Sequence, residues 1–370
     1  MRVIIAPDSF KGSASAAEVA AAIAEGWSRV RPRDELTLLP MADGGEGTLD
    51  AFELAVPGAQ RMPVTVTGPG EHRPGIRDID ASWLLLPASD GTPRGTALVE
   101  LAATSGLTLL DRMLPLEAHT LGFGQAIVDA LEHGVSRLLL AVGGSASTDG
   151  GSAALAALGA RFLDASGQPI ALGGGALAQL ASVDLSGLRA LPPGGALVLG
   201  DVTNPLLGPF GAARVFGAQK GADAAQRAAL DRGLATLAAL LPAEPTAPGA
   251  GAAGGTGYGL LAWGARMAPG ADAVGDAIGL PEAVAQADVI ITGEGRFDAQ
   301  SAAGKVAGYV ARVPRPDGAR MLLIAGGIDA SVSTDAFTAS RALTELAGGL
   351  DAALDEPLRW LREAGASLAG

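Results

Sequence analysis

The sequence predicts an α/β protein built as two domains. Short runs of Val, Ile and Leu recur along the chain, and most end in a polar, glycine-containing loop that leads into a helical pattern. One early stretch alternates apolar and polar residues instead, as a half-buried sheet edge does. The 370 residues exceed the ~250–300 at which a single core stops growing.

The first element is a buried strand over Val3 to Ala6, followed by "APDSFKGSAS" and a helix. Ser15-Ala-Ala-Glu18 is a capping box, in which serine and glutamate satisfy each other's backbone N–H groups at the helix start. Val19, Ile23, Trp27 and Val30 then repeat at helical spacing. Leu36 to Leu39 is a second strand, "MADGGEGT" its loop, and Leu49 and Phe52 the apolar face of a second helix. From about residue 61 "RMPVTVTG" alternates, "GPGEHRPG" supplies turn residues, and "SWLLLPA" and "TALVELA" read as further strands.

Four later runs end in glycine loops: "RLLLAVGGSASTDGG" at 137–151, "ALVLGDVTNPLLG" at 196–208, "ADVIITGEGRFD" at 287–298 and "RMLLIAGG" at 320–327. Ligands of open α/β sheets bind beyond the carboxyl ends of strands, where these loops lie. The stretch 242–259, rich in Pro, Ala and Gly, reads as a linker or mobile loop.

Composition excludes several functions. A formal charge of −13 with no basic tract argues against nucleic acid, whose binding rests on cations that neutralise phosphates. The absence of cysteine removes disulfides, thiolate zinc sites and a cysteine nucleophile, and fits a cytoplasmic protein. The three histidines, His72, His119 and His133, are scattered. No apolar stretch reaches the ~18 residues of a membrane span, and the N-terminal run is too short for a signal peptide.

Only three of the 26 basic residues are lysines, Lys11, Lys220 and Lys305, and each lies beside glycine. In a chain that otherwise uses arginine, these mark places that need a compact ammonium rather than a planar fork. No G-x-x-x-x-G-K-[ST] occurs; a G-x-G-x-x-G at Gly249, Gly251 and Gly254 follows a Pro-Ala stretch instead of the strand a dinucleotide site requires.

The 143–151 loop is better placed, between a strand and an Ala/Leu helix. Gly143, Gly144, Ser145, Ser147 and Thr148 could cradle phosphate with backbone N–H groups and hydroxyls. Asp149 would repel that phosphate unless a magnesium ion lay between them. Asp43 and Glu46 of "MADGGEGT" suit a hard cation or a hydroxyl-bearing substrate. Each loop also reads as an ordinary turn with an acidic helix start. Asn204, the only asparagine, follows Asp201 and opens an Asn-Pro turn. "ITGEGRFDAQSAAGK" adds Glu294, Arg296, Asp298 and Lys305.

Together these motifs resemble the bacterial glycerate kinase family of the glycerate 2-kinase type. "APDSFKG", "ADGGEGT", the "GGSAS-DGG" loop, "DVTNPLLG", "FGAQKGA", "GAGAAGG" and "ITGEGRFDAQ" occur in family order over essentially the whole chain. The resemblance implies ATP-dependent phosphorylation of D-glycerate with Mg²⁺. It also implies a discontinuous Rossmann-like domain, residues 1–65 plus 285–370, with an inserted α/β domain of flavodoxin-like, mixed-sheet type at 66–284 and the active site in the cleft. Two departures stand out: Thr148 occupies a position usually asparagine, and Ala303 one where histidine is common, which removes a catalytic histidine there.

Phosphoryl transfer needs cations on the phosphates, carboxylates for metal, and a base beside the attacking hydroxyl. Asp201, Lys11 and Asp8 are the expected catalytic residues, with Asp201 favoured as base, although base and metal ligand remain undivided among Asp8, Asp43 and Asp201. Ser9, Asn204, Arg296 and Lys220 are expected on substrate. Gly143, Gly144, Ser145, Ser147, Thr148 and Lys305 are expected on nucleotide, and Asp43, Glu46 and Asp149 on metal. The product would be 2-phosphoglycerate. The alternatives are transfer to the 3-hydroxyl, giving 3-phosphoglycerate, and a non-catalytic hydroxy-acid sensor.

Overall fold

The computed structural model describes residues 1–70, 78–299, 301 and 305–370. Ala303, His72 and residues 71–75 of the expected "GPGEHRPG" turn lie outside the described residues. In chain order the strands are β1 (Arg2–Pro7), β2 (Glu35–Leu38), β3 (Gln60–Thr67), β4 (Asp78–Leu86), β5 (Thr96–Glu100), β6 (Arg137–Ala141), β7 (Arg161–Leu163), β8 (Ser182–Asp184), β9 (Ala196–Leu199), β10 (Arg266–Ala268), β11 (Val289–Phe297), β12 (Arg320–Ile328) and β13 (Ala339–Ala342). No helix among the described residues is long and apolar enough to cross a membrane.

The chain divides into two compact units, Met1–Asp43 with Asp50–Pro57 and Pro269–Gly370, and Gly44–Leu49 with Gly58–Ala268. These bounds differ from the expected 65/66 and 284/285. β3 pairs antiparallel with β4 from Gln60↔Leu85 to Thr67↔Asp78, so it belongs to the second unit's sheet. Helices Gly270–Ala277 and Leu280–Val284 belong to the first unit, where Gly275 abuts the Tyr309 ring.

The first unit is an all-parallel sheet in the order β13-β12-β11-β1-β2. Counted within the unit this is 2-1-3-4-5, the doubly wound order of flavodoxin-like sheets. β1 is a nearly continuous apolar run and β11 opens with one at 289–291, as strands do in a sheet whose two faces are both covered. Its core gathers Val3, Ile5, Ile23, Trp27, Ile291, Leu322 and Leu361. The predicted capping box is present: Glu18 N–H donates to Ser15 Oγ at 3.3 Å, and Ser15 N–H to Glu18 Oε2 at 2.9 Å.

The second unit has a six-stranded sheet in the order β10-β9-β6-β5-β4-β3. It is parallel from β5 to β10 and antiparallel from β3 to β5. The mixed sheet matches expectation, but the flavodoxin-like order does not: these strands follow one another across the sheet without reversal. A separate core surrounds Trp83, Phe123, Leu140, Leu234 and Tyr258.

The expected linker at 242–259 is also corrected. Ala252–Ala262 is helical except for a left-handed break at Ala253, Gly254 and Gly255, and the Tyr258 hydroxyl lies 3.1 Å from the Leu241 carbonyl. Its glycines provide close approach rather than flexibility: a Cβ on Gly254 would strike the Ser147 carbonyl, and one on Gly257 the Gly249 carbonyl.

Helices Ala16–Val30 and Pro357–Ala369 cross with Gly26 against the Arg362 carbonyl and Gly365 against the Ile23 carbonyl. Gly26→Val would force these backbones apart. We expect a loss of about 1–3 kcal/mol in chemical denaturation, with far-UV circular dichroism retained at low denaturant.

Candidate active site

A doubly wound sheet opens a crevice where its strand order reverses. In the first unit that point lies between β1 and β11, whose register runs from Val3↔Val289 to Pro7↔Gly293. One residue further, Asp8 faces Glu294. Asp8 N–H donates to the Gly293 carbonyl at 2.8 Å, and its Oδ1 accepts from Ser9 N–H at 2.7 Å.

Both carboxyls are buried, Asp8 at 8% and Glu294 at 6% exposure. Burial pushes Asp8 up to about 7, with Asp43 and Glu294 adding repulsion while the Ser9 N–H and Lys11 act against it. Glu294 is likewise raised to about 7, first by burial, although the Ser301 hydroxyl and Lys305 favour its charged form. Both would titrate near neutrality, as acid–base catalysis requires.

The chain turns sharply after Phe10. Ser13 and Ala14 N–H groups return to the Phe10 carbonyl at 2.8 and 3.0 Å, and Gly12 has φ of 78°, a left-handed turn conformation that glycine adopts at no steric cost. This tight turn presents Lys11, 76% exposed, with Nζ 3.8 Å from Asp43 Oδ2. An exposed pair of this kind is worth roughly 0–1 kcal/mol, so an anion can take over the ammonium at little cost.

The other expected cations of this unit are dispersed. Arg296 is exposed and pairs with Asp329 at 3.4 Å. Lys305 is the residue preceding helix Val306–Arg312, where its charge acts on Glu294. Glu294 itself was among the acids of its motif but not among the expected site residues. Its signal is a carboxylate flanked by two glycines in a strand that opens on the apolar run 289–291.

In the second unit the glycine loop after β6 is assembled, but from the inside. Ser145, Ser147 and Thr148 are buried, whereas Gly144 is exposed and Gly143 half-buried. Lys220, expected on substrate, is 3% exposed; its ammonium donates to the Ser147 carbonyl and stands 3.5 Å from Ser145 Oγ. Burial pulls this lysine down to about 7, opposed by the charge of Asp149. Lys220 therefore grips the loop from beneath.

Asp149, expected on metal, lies beneath the same loop. It is fully buried. Oδ2 accepts from Thr120 N–H at 2.9 Å and Thr120 Oγ1 at 2.8 Å, and Oδ1 from Gly151 N–H at 3.2 Å. These donors occupy the carboxylate and tie the loop to the start of helix Leu121–His133.

Facing this loop, Ala253, Gly254 and Gly255 all have positive φ, Ala253 at 54°. The Ala253 carbonyl lies 3.3 Å from Ser145 Oγ, and Gly150 N–H donates to the Gly254 carbonyl at 3.1 Å. An alanine in this region is strained by about 1–3 kcal/mol, a cost that these contacts offset.

Glu46 is exposed on a loop held by Glu100, which accepts from Gly47 N–H at 3.2 Å and Leu49 N–H at 2.9 Å. Gly143 N–H donates to the Gly44 carbonyl at 2.8 Å, so the two glycine loops abut. Asp201 is exposed after β9. The Asn204 amide donates to the Phe210 carbonyl at 2.8 Å and closes its own loop, instead of being held toward a substrate. Among the described residues, no three His, Cys, Asp or Glu side chains gather closely enough to hold a metal ion.

The profile described as "Glycerate kinase family" matches residues 3–370. The chain is 42% identical over 338 residues to "Glycerate 2-kinase" of Escherichia coli (strain K12), covering 89% of this chain and 86% of that protein. It is 44% identical over 338 residues to "Glycerate kinase" of Bacillus subtilis (strain 168), covering 89% and 85%. A crystal structure from Salmonella typhimurium LT2, of a protein provisionally named glycerate kinase 2, matches all of this chain and 97% of its own with TM-score 0.82 and 38% identity. On the family match and these identities, the chain belongs to the glycerate kinase family.

Proposed function

We propose that this protein transfers the γ-phosphoryl group of ATP to the 2-hydroxyl of D-glycerate, giving 2-phospho-D-glycerate and ADP. The observation that carries this is a buried carboxyl and an exposed cation on one short loop, Asp8 and Lys11, in a chain 42% identical to a protein named glycerate 2-kinase. The 2-position follows that relative's name.

In this reading Asp8 takes the proton of the attacking hydroxyl. It replaces Asp201 as the preferred base because a buried carboxyl raised to about 7 holds a proton better than an exposed one, matching the operating pH. Lys11 leaves Asp43 to neutralise a phosphate or the glycerate carboxylate. The loop at Gly144, exposed beside the half-buried Gly143, would meet nucleotide phosphates, and Ser145, Ser147, Asp149 and Lys220 keep it in shape. Asp43 would hold magnesium, since magnesium usually takes one or two protein carboxylates and completes its shell with phosphate oxygens and water. When bound, the ion would offset the charge developing on the phosphates.

An ADP-release assay with D-glycerate, ATP and Mg²⁺ should show turnover, and NMR should identify the product as 2-phosphoglycerate. A 3-phosphoglycerate product would overturn the position, while binding without ADP release would mark a sensor. Because the base acts deprotonated, kcat/KM should rise with pH through about 7, and D8N should cost on the order of 10²–10⁴ in kcat and lose that limb.

The two lysines should separate cleanly. K11A should lower kcat/KM by on the order of 10²-fold with an unchanged melting temperature. K220M should instead destabilise the fold by about 1–3 kcal/mol, because it leaves a buried carbonyl unpaired.

A further inference from the structure

The proton that leaves the substrate needs a way out of a buried acid cluster. Glu294 Oε1 is buried with no hydrogen-bond partner among the described residues, although buried acceptors are almost always paired. Its other oxygen, Oε2, lies 2.7 Å from Ser301 Oγ. Ser301 is fully buried, and its Oγ also reaches Asp298 Oδ1 at 3.4 Å and the Arg296 carbonyl at 3.2 Å. Asp298 is half-buried and accepts from Ser301 N–H at 3.3 Å. The carboxylate with the unmet oxygen follows Gly293, whose carbonyl accepts from Asp8 N–H, and a hydroxyl links that carboxylate to a second, half-buried one.

We propose that Glu294, Ser301 and Asp298 form a proton exit that carries the hydroxyl proton of the substrate from Asp8 to solvent; the proposal rests on the kinase reading above. The substrate O–H bond breaks as its oxygen forms the O–P bond, and the proton goes to the Asp8 carboxylate. Asp8 passes it, directly or through one water, to Glu294 Oε1. Glu294, neutral once it has taken that proton, turns its O–H toward Ser301 Oγ and gives the proton up there as the serine's own proton moves to Asp298 Oδ1; Asp298 then discharges to water. Ser301 regains a hydroxyl and Asp8 its charge, with no other reactant consumed.

The groups facing Glu294 suit the route. Asp43 and Asp298 disfavour its charge and Lys305 favours it, which holds the carboxyl near the balance a relay needs. Arg296 is turned to Asp329 and does not trap the proton. Glu294 and Ser301 are thus positioning and relay residues, whereas Asp8 touches the substrate.

The test uses the full-length protein and S301A, with D298N as a second variant away from the core and melting curves to confirm folding. S301A should lower kcat on the order of 10- to 100-fold, leave KM for D-glycerate and ATP unchanged, and enlarge the solvent deuterium isotope effect on kcat. D298N should shift kcat and the isotope effect in the same direction by less. A purely structural serine would instead alter KM or stability and leave the isotope effect alone. Wild-type kcat and isotope effect in a folded S301A, or in D298N should S301A fail to fold, overturn the exit. A wild-type protein that releases no ADP with D-glycerate overturns the kinase reading, and the exit with it.

Discussion

The first unit depends on one pairing, β1 alongside β11. It joins segments far apart in the chain, and the Thr292 hydroxyl donates to the Ala6 carbonyl across 286 residues. Closing so long a loop is entropically costly, and the return is nearly continuous apolar burial along both strands. The register that aligns Val3 with Val289 also sets Asp8 opposite Glu294. A slip by one residue would turn every side chain of β1 to the other face and dissolve the acid pair together with the core.

Environment, more than residue type, assigns the roles of the three lysines. Lys11 stands in water on a tight turn and can exchange partners. Lys220 is enclosed and spends its charge on the Ser147 carbonyl, a geometry that a compact ammonium fits and a planar guanidinium does not. Lys305 begins a helix and acts on Glu294 through its field. The carboxylates divide in the same way: Asp149 accepts from three N–H and O–H donors, while Glu294 keeps one oxygen without a partner among the described residues.

Much of this was legible in the sequence. The capping box, the βα rhythm, the alternating β3 and the glycine loops after strands are local patterns, and local physics produces them. The family was legible because seven motifs occur in order. What failed depended on tertiary context. The 242–259 stretch looks flexible by composition, yet its glycines permit contact between backbones. The burial of Asp149 and Lys220 cannot be read from spacing. Glu294 was passed over because its value lies in a neighbour that the register brings from the other end of the chain. Strand order was likewise out of reach, since no local pattern records where β11 inserts.

The buried acid pair ties folding to proton uptake. Asp8 and Glu294 start from ordinary values of 3.8 and 4.5 and are raised to about 7 in the folded chain. Between those limits the native state holds more protons than the unfolded state, so stability from these groups is full below the lower values and drains away as pH rises through about 7. The proposed base needs the opposite condition, because it acts only once ionised. Mild acidification would then tighten the fold while silencing the chemistry, and alkalinity would release the chemistry at the expense of the fold.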